Sequence, residues 1–196
     1  MNGEPAGAAL DFQHVYDEFQ PRIRRYLARL TGLGEADDLT QETFARVSQA
    51  LAGFRGEAAL STWIYRIATN VVFDRARSPA FQLQTRTAEP EALAALGTVP
   101  AIEQDIARRE MSECVRDYVD QLPADYRTVV VLSELEELSD REIAEVLGIS
   151  LEAAKIRLHR ARARLRQMLE QGCDLSRDER NELTCEPRPG GVSSTD

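Results

Sequence analysis

The segment Ser139 to Arg166 constrains the fold of this chain more than any other feature of the sequence. Ser139 and Glu142 are spaced as a capping box, in which a serine caps a helix and a glutamate three residues later bonds back. Gly148 suits the left-handed residue that ends a helix, and Ser150 can cap the next one. Two helices joined by a turn of about three residues form a helix-turn-helix, which the sequence therefore predicts. The residues expected to face inward from its first helix are Ile143, Ala144 and Leu147.

The second helix of this predicted motif presents a basic outer surface. An inward stripe at helical spacing is formed by Ala154, Leu158, Ala161 and Leu165. On the outer side, an arginine fork can bind phosphate or guanine, and an exposed apolar side chain can contact a thymine methyl. The alternative is a solvated basic face on an ordinary surface helix. The candidate DNA-contacting residues are Glu152, Ala153, Lys155, Ile156, Arg157, His159 and Arg160.

The net charge of −9 argues, taken alone, against nucleic-acid binding, because phosphate attracts basic surfaces. The charges are segregated, however: acidic residues crowd the stretch from Glu134 to Glu145, and basic residues crowd the stretch from Lys155 to Arg166. One face can then meet DNA while another meets a protein partner.

Composition limits the class of protein. With 43% hydrophobic and 29% charged residues, the chain is typical of soluble globular proteins. We find no apolar run of about 18 residues and no signal peptide, so we expect a cytoplasmic protein without membrane insertion. Three cysteines, Cys114, Cys173 and Cys185, make no disulfide framework. Metal ligands are sparse, so we expect no metal, no cofactor and no redox role for Cys173 and Cys185.

Three helices are predicted between Leu10 and Arg77. The first has an apolar stripe that Pro21 should kink or split. The second should run from Glu35 to Ala52, and the third from Ser61, its expected N-cap, to Arg77. The residues expected to face inward are Phe12, Val15, Phe19, Ile23, Tyr26, Leu27 and Leu30 in the first helix, Ala36, Leu39, Thr43, Val47 and Ala50 in the second, and Ile64, Ile67, Ala68 and Val71 in the third.

The rest of the chain divides into a linker, a second structured segment and a tail. Residues 78–100 contain three prolines and little periodicity, which indicates a linker, with a short helix near Glu91 to Leu96. Residues 101–171 should be helical; Val129 to Leu132 has strand propensity, but its flanks favour helix. The tail, 172–196, is polar and is expected to be disordered at its end. The predicted fold is all-α, with two small helical domains, 10–77 and 101–171.

Two outward faces of the N-terminal segment attract attention. Asp37, Asp38, Gln41 and Glu42 form an acidic face opposite the apolar stripe of the second helix. On the third helix, aromatic and basic side chains lie together, an arrangement that can stack unpaired bases and hold their backbone. The alternatives are a solvated acidic surface and simple core packing of the aromatic rings. The aromatic and basic face comprises Arg66, Thr69, Asn70, Phe73 and Arg77, flanked by Trp63 and Tyr65.

These motifs carry a family likeness. Asp37-Asp38-Leu39-Thr40-Gln41-Glu42-Thr43-Phe44 resembles the core-polymerase-binding helix of the sigma-70 superfamily. Phe54-Arg55-Gly56-Glu57 and Ser61-Thr62-Trp63-Ile64-Tyr65-Arg66-Ile67-Ala68-Thr69-Asn70 resemble the loop and helix that follow it. Leu122-Pro123-Ala124-Asp125-Tyr126-Arg127 and Leu158-His159-Arg160-Ala161-Arg162 resemble the C-terminal domain of the family. Having only these two domains is similar to the extracytoplasmic-function (ECF) group of RNA polymerase sigma factors, over residues 10–171.

The resemblance implies a role for each surface. The first helical domain would bind core RNA polymerase at its clamp coiled coil, the Gly53 to Ala59 loop would hold a flipped base of the minus-10 promoter element, and residues 151–166 would read the minus-35 element. It also implies an anti-sigma factor or other regulator as a partner, and a linker that threads through polymerase channels. The implied polymerase-contacting residues are Asp37, Asp38, Gln41, Glu42 and Phe44. The implied minus-10 contacts are Phe54, Arg55, Trp63, Arg66, Asn70 and Arg77, and the minus-35 contacts are the seven candidates in the helix-turn-helix.

Two departures from the family pattern and two other functions bear on this interpretation. Ala153 stands where a hydroxyl side chain is expected and Ile156 where a small polar one is common, which puts the promoter sequence in doubt.

A free-standing regulator would bind palindromic operators as a dimer without polymerase. A DNA-processing enzyme would need a nucleophile or a metal site, for which Asp37, Asp38 and Glu42 are the only candidates. We therefore predict a sigma factor without catalytic activity of its own.

Overall fold

A computed structural model describes residues 10–77, 113–177 and 183–187, which fall into two compact units. The N-terminal unit contains α1 (Phe12–Thr31), α2 (Leu33–Ala50), a 3-10 turn (Leu51–Gly53) and α3 (Leu60–Arg77). The C-terminal unit contains α4 (Glu113–Asp120), α5 (Ala124–Val130), α6 (Asp140–Leu147), α7 (Leu151–Gly172), β1 (Cys173–Arg177) and β2 (Leu183–Pro187). The helical character predicted for both domains is confirmed. The expected linker, its short helix and the helical residues before 113 lie outside the described residues.

The three N-terminal helices pack their apolar stripes into one core. Asp11 caps α1 by accepting from the backbone N–H groups of Gln13 and His14. Gly32, with φ of +85°, separates α1 from α2 in a conformation that side-chain-bearing residues rarely adopt. The fully buried side chains include Ile23, Tyr26, Leu27, Val47, Ile64, Tyr65 and Val71.

Four local predictions for this unit differ from the structure. Of the two outcomes predicted at Pro21, a kink or a split, the split is wrong, because α1 runs through Pro21 as one helix. Ser61 is not the N-cap of α3, because the helix begins at Leu60 and the N–H of Trp63 already bonds to the carbonyl of Ala59. Among the residues expected inward, Ala50 is exposed, whereas Phe12 and Ile67 are half-buried. The second helix also begins and ends two residues earlier than predicted, at Leu33 and Ala50.

The C-terminal unit is built around α5 and α7. The helix predicted for Val129 to Leu132 is confirmed, since α5 passes directly into a π-helical turn, Val131–Leu135. All four of these side chains are buried, which explains why the run looks like a strand by propensity. The side chain of Arg127 donates to the carbonyls of Asp120 and Leu122 and so closes the end of α4. At the end of α7, a Cβ on Gly172 would overlap the Tyr118 hydroxyl, so a larger residue there would have to displace the Tyr118 ring.

A short ribbon in the tail is an addition that the sequence did not predict. Strands β1 and β2 pair antiparallel, with Leu175 opposite Cys185 and Cys173 opposite Pro187. The two cysteines are therefore not cross-strand partners. The remainder of the tail lies outside the described residues. None of the helices among the described residues combines the length and the apolar character of a membrane-spanning segment.

Candidate nucleic-acid interfaces

Side-chain caps fix the helix-turn-helix where the sequence predicts them. The N–H of Ser139 donates to Glu142 Oε2 at 2.8 Å, and Ser139 Oγ accepts from the N–H of Glu142 at 3.3 Å, which confirms the capping box. Gly148 has φ of +63° at the end of α6. Ser150 Oγ then accepts from the N–H of Ala153 at 3.1 Å at the start of α7. The turn is thus defined by its own side chains and by one glycine.

Helix α7 buries one stripe and presents the rest of its surface. Ala154, Leu158 and Ala161 are buried as predicted, and Leu165 is half-buried. In α6, Ile143 and Ala144 are buried as predicted, but Leu147 is only half-buried. Among the seven candidate DNA contacts, Glu152, Lys155, Ile156, His159 and Arg160 are exposed, whereas Ala153 and Arg157 are half-buried. Ile156 is 44% exposed and gives the polar face an apolar centre.

One arginine on this helix bonds to residues outside the helix. Arg162 donates from Nε to Glu134 Oε1 at 2.9 Å, and from a terminal nitrogen to the same oxygen and to Ser133 Oγ. Both acceptors lie in the π-helical turn. Arg162, itself exposed, therefore ties α7 to that turn, whereas Lys155 and Arg160 make no hydrogen bond or ion pair within the described residues.

The acidic face of α2 is exposed, but half of it is already paired. Asp37, Asp38, Gln41 and Glu42 all point outward. The hydrogen bond from Arg24, 2.6 Å from Nε to Oδ1, and the positive charge of the guanidinium lower the pKa of Asp37. Glu42 accepts from Arg46 at 2.6 Å. Asp38 and Gln41 make no hydrogen bond or ion pair within the described residues, so they are the members of this face that a partner can engage without breaking a contact.

The expectation that Phe44 lies on this contact face is wrong. Its side chain is 2% exposed and its ring packs edge-on against Tyr16, with centroids 4.9 Å apart. The helical period explains this, because Phe44 follows Thr40 by four residues and both belong to the buried stripe of α2. Phe44 supports the acidic face from beneath.

An open pocket lies between the 3-10 turn and the start of α3. The Phe54 and Trp63 rings meet at one side of it, with centroids 5.2 Å apart and planes inclined by 50°. Both rings are half-buried, so each keeps an accessible face. The pocket has a volume of about 360 Å³ and is lined by Gly53, Phe54, Arg55, Glu57, Ala58, Trp63 and Arg66. It therefore combines aromatic surface with two cationic side chains and one carboxylate.

The outward face of α3 is narrower than predicted. Arg66, Asn70 and Arg77 are exposed, and Phe73 is half-buried. Thr69 is fully buried, which corrects its assignment to this face. Its hydroxyl donates to the Tyr65 carbonyl at 2.7 Å, so the Tyr26 hydroxyl, also 2.7 Å away, must donate to Thr69. Tyr65 is likewise buried, edge-on to Tyr26, with centroids 5.2 Å apart.

Comparison with known proteins identifies the two units. Residues 15–80 match the family model of sigma-70 region 2, and residues 112–165 match that of sigma-70 region 4. The ECF RNA polymerase sigma factor SigW of Bacillus subtilis is 36% identical over 167 residues, covering 81% of this chain and 88% of SigW. The chain belongs to the ECF group of the sigma-70 family. A member of this family acts with RNA polymerase in transcription initiation, which disfavours a free-standing regulator.

Further relatives of this sigma factor agree with that assignment. The ECF RNA polymerase sigma-E factor of Escherichia coli is 31% identical over 157 residues, covering 77% of this chain and 82% of that protein. Among solved structures, the sigma factor RpoE of Bartonella quintana, in complex with the anti-sigma factor NepR, has a TM-score of 0.67. It is 22% identical and covers 82% of this chain and 97% of RpoE, so it shows the shared fold.

Sequence reasoning included Glu57 and Ala58 in the Gly53 to Ala59 loop without singling them out, and both line the pocket beside Phe54 and Trp63. It missed the contacts of Arg46. Arg46 and Asp74 form an ion pair that joins α2 to α3. The spacing of Glu42 and Arg46 by four residues is a helical pairing signal that could have been recognised. The partnership with Asp74 depends on helix packing and has no local signal.

Proposed function

We propose that this sigma factor uses three surfaces. The exposed polar face of α2 docks on core RNA polymerase. The pocket and α3 hold the melted minus-10 strand, and α7 reads the minus-35 duplex. The observation that carries the proposal is the aromatic and cationic pocket at the start of α3, a helix that also exposes Asn70 and Arg77. Opening a duplex costs stacking energy, and capture of unstacked bases offsets that cost.

The minus-10 assignment rests on chemistry suited to single-stranded DNA. The half-buried Phe54 and Trp63 rings offer a stacking surface, and Arg55 and Arg66 supply positive charge at the same pocket. Stacking on an aromatic ring contributes about 1–3 kcal/mol per base, so Trp63→Ala should weaken holoenzyme binding to a minus-10 single strand by roughly 5- to 150-fold. Fluorescence anisotropy with a labelled strand measures this, and Trp63→Phe, which keeps a ring, serves as the matched control.

Two results distinguish a stacking role from general damage to the unit. Core-polymerase binding should be the same for both Trp63 variants. Equal strand affinities for Trp63→Ala and the wild type would remove the pocket from the proposed site.

The proposal that the exposed face of α2 binds core polymerase rests on Asp38 and Gln41. Both are exposed and carry no bond within the described residues, so a partner can use them at no cost in internal contacts. We expect Asp38→Ala and Gln41→Ala to weaken binding to core polymerase by roughly 5- to 150-fold each, the range for hydrogen bonds in which one partner is charged or buried. Glu18→Ala, which removes an exposed acid from α1, is the matched control. If neither variant changes core affinity, this face does not dock.

In the proposed minus-35 contact, different residues of α7 control the affinity for duplex DNA and the preference for particular bases. Lys155 and Arg160 flank the exposed face of α7, so replacing either with alanine should weaken binding to all duplexes and reduce the salt slope by about one. Ile156 lies between them and, being uncharged, makes no ionic contact with a phosphate. Ile156→Ser should therefore change which bases are preferred, through loss of a contact to a thymine methyl, and leave the salt slope unchanged. Selection from randomised duplexes by the holoenzyme tests this; unchanged preference would exclude Ile156 as a base contact.

Regulation by a protein inhibitor is part of the proposal. The structural neighbours RpoE and CnrH are both in complexes, with the anti-sigma factor NepR and with the cytosolic domain of CnrY respectively. By analogy, we propose that an anti-sigma protein occludes one of the three surfaces in the cytoplasm. Co-purification of the chain from its own cells, with and without core polymerase, would identify such a partner.

A further inference from the structure

Arg46 joins the second and third helices of the N-terminal unit. One terminal nitrogen donates to Glu42 Oε1 at 2.6 Å, within α2, and the other donates to Asp74 Oδ2 at 2.8 Å, on α3. A planar guanidinium is suited to holding two carboxylates in fixed directions, which a lysine ammonium is not. The result is a continuous chain of charged hydrogen bonds, Glu42–Arg46–Asp74.

The two ends of this chain lie on surfaces with different proposed partners. Glu42 belongs to the acidic face of α2, next to the unpaired Gln41. Asp74 follows Asn70 by one helical turn on α3 and precedes Arg77, and both of those side chains are exposed on the DNA-facing helix. The hydrogen bonds that Arg46 donates to Asp74 and Glu42, of which the bond to Asp74 contributes most, raise the pKa of Arg46 above its ordinary value.

A second ion pair spans the same two helices and gives a comparison. Arg75 on α3 approaches Glu35 on α2 at 3.9 Å, a longer contact than either bond of Arg46. Glu35 lies in the first turn of α2, outside the set Asp37, Asp38, Gln41 and Glu42. This pair therefore joins the helices without reaching the docking face.

We propose that Arg46 is a positioning residue that couples the polymerase-docking face of α2 to the DNA-facing helix α3. The inference rests on the proposed function of those two surfaces. When polymerase engages the docking face, the orientation of Glu42 is transmitted through Arg46 to Asp74 and so to the exposed side chains one turn away. By linkage, occupancy of the DNA-facing helix strengthens polymerase binding by the same factor.

The test measures core-polymerase affinity with and without a minus-10 single strand, using the full-length protein. Asp74→Ala should weaken core binding about threefold although Asp74 lies outside the docking face, and the strand should no longer raise core affinity. In an Arg46→Met background, Asp74→Ala should have no additional effect, because the link is already broken. Glu35→Ala, which breaks the longer pair, is the matched control and should leave the coupling unchanged.

The outcomes separate this inference from the proposed function. A purely structural role would lower both affinities and leave their coupling intact, which would overturn the inference. The inference would also be overturned if the Asp74→Ala protein bound core polymerase as tightly as the wild type while Asp38→Ala still weakened that binding. The proposed docking of the α2 face on polymerase would then hold without the coupling. If Asp38→Ala and Glu42→Ala are also without effect, the docking assignment and the inference both fail. Should Asp74→Ala not fold, Arg46→Lys, which offers a single ammonium, should abolish the coupling in the same way.

Discussion

The helix-turn-helix and the N-terminal helical unit are stabilised by contacts of very different range along the chain. The caps of the helix-turn-helix join residues three apart, Ser139 with Glu142 and Ser150 with Ala153. In the N-terminal unit, the Tyr26 hydroxyl bonds to Thr69, 43 residues away, and Arg46 bonds to Asp74, 28 residues away. The turn of the helix-turn-helix is therefore specified by its local sequence, although Arg162 also ties α7 to Glu134, 28 residues away. The surfaces of the N-terminal unit exist only once three helices have packed.

The largest effect is expected for the buried hydroxyl pair. Thr69→Val removes the oxygen that accepts from the Tyr26 hydroxyl and should lower the free energy of unfolding of the N-terminal unit by about 1–3 kcal/mol. Trp63 is the only tryptophan of the chain, so its fluorescence during urea unfolding reports on this unit. Combining Thr69→Val with Tyr26→Phe should cost less than the sum of the single changes, because both partners of one bond are then gone. Strict additivity would show that the bond does not contribute.

An intermediate effect is expected at the turn of the helix-turn-helix. Gly148 has φ of +63°, and a side chain in that conformation costs roughly 1–2 kcal/mol, so Gly148→Ala should destabilise the motif by that amount. Hydrogen exchange of the amides in residues 139–166 is the measurement. Gly53→Ala is the control, since Gly53 has no positive φ and open space around its Cα. Equal protection in the Gly148→Ala protein would mean that the turn is not constrained by its backbone.

A smaller effect is expected for the capping box. Ser139→Ala removes the acceptor for the N–H of Glu142 and should destabilise α6 by about 1 kcal/mol. The loss should be confined to amides of α6 and leave the Trp63 unfolding transition unchanged. A shift of that transition would contradict the view that the motif is locally specified.

The smallest effect concerns the Arg24–Asp37 pair. Because Arg24 lowers the pKa of Asp37 below its ordinary value of 3.8, the stabilisation from the pair is present above that value and is lost as the pH falls through the lowered pKa. Arg24→Gln should return the pKa of Asp37 towards 3.8, followed by NMR titration of its carboxyl carbon. Arg22→Gln, an exposed neighbouring arginine, should not. No shift on Arg24→Gln would contradict the pairing.

Much of the architecture could be predicted because it depends on local signals. The capping box, Gly148 and the inward residues Ala154, Leu158 and Ala161 follow from spacing alone, and the structure confirms them. Helical periodicity also placed Asp37, Asp38, Gln41 and Glu42 on one exposed face.

The predictions that failed concern residues whose burial depends on contacts with another helix, or places where helical spacing alone allows more than one local structure. Thr69 is a polar residue next to the exposed Asn70, and only its partner Tyr26 on another helix explains its burial. Phe44 looked like part of a contact motif but completes the core against Tyr16. Pro21 stays within α1 because the buried residues before and after it belong to one continuous stripe. No strand pattern in the sequence predicts the ribbon of β1 and β2 in the tail.

The central claim is that this chain confers promoter specificity on RNA polymerase. The most direct measurement is run-off transcription with purified core polymerase on genomic promoter fragments, with core alone as the reference. The account predicts discrete transcripts only when the chain is present, weak duplex binding by the chain alone, and co-elution of the chain with core. Absence of promoter-dependent transcripts together with absence of co-elution, or tight binding to palindromic DNA without polymerase, would contradict it.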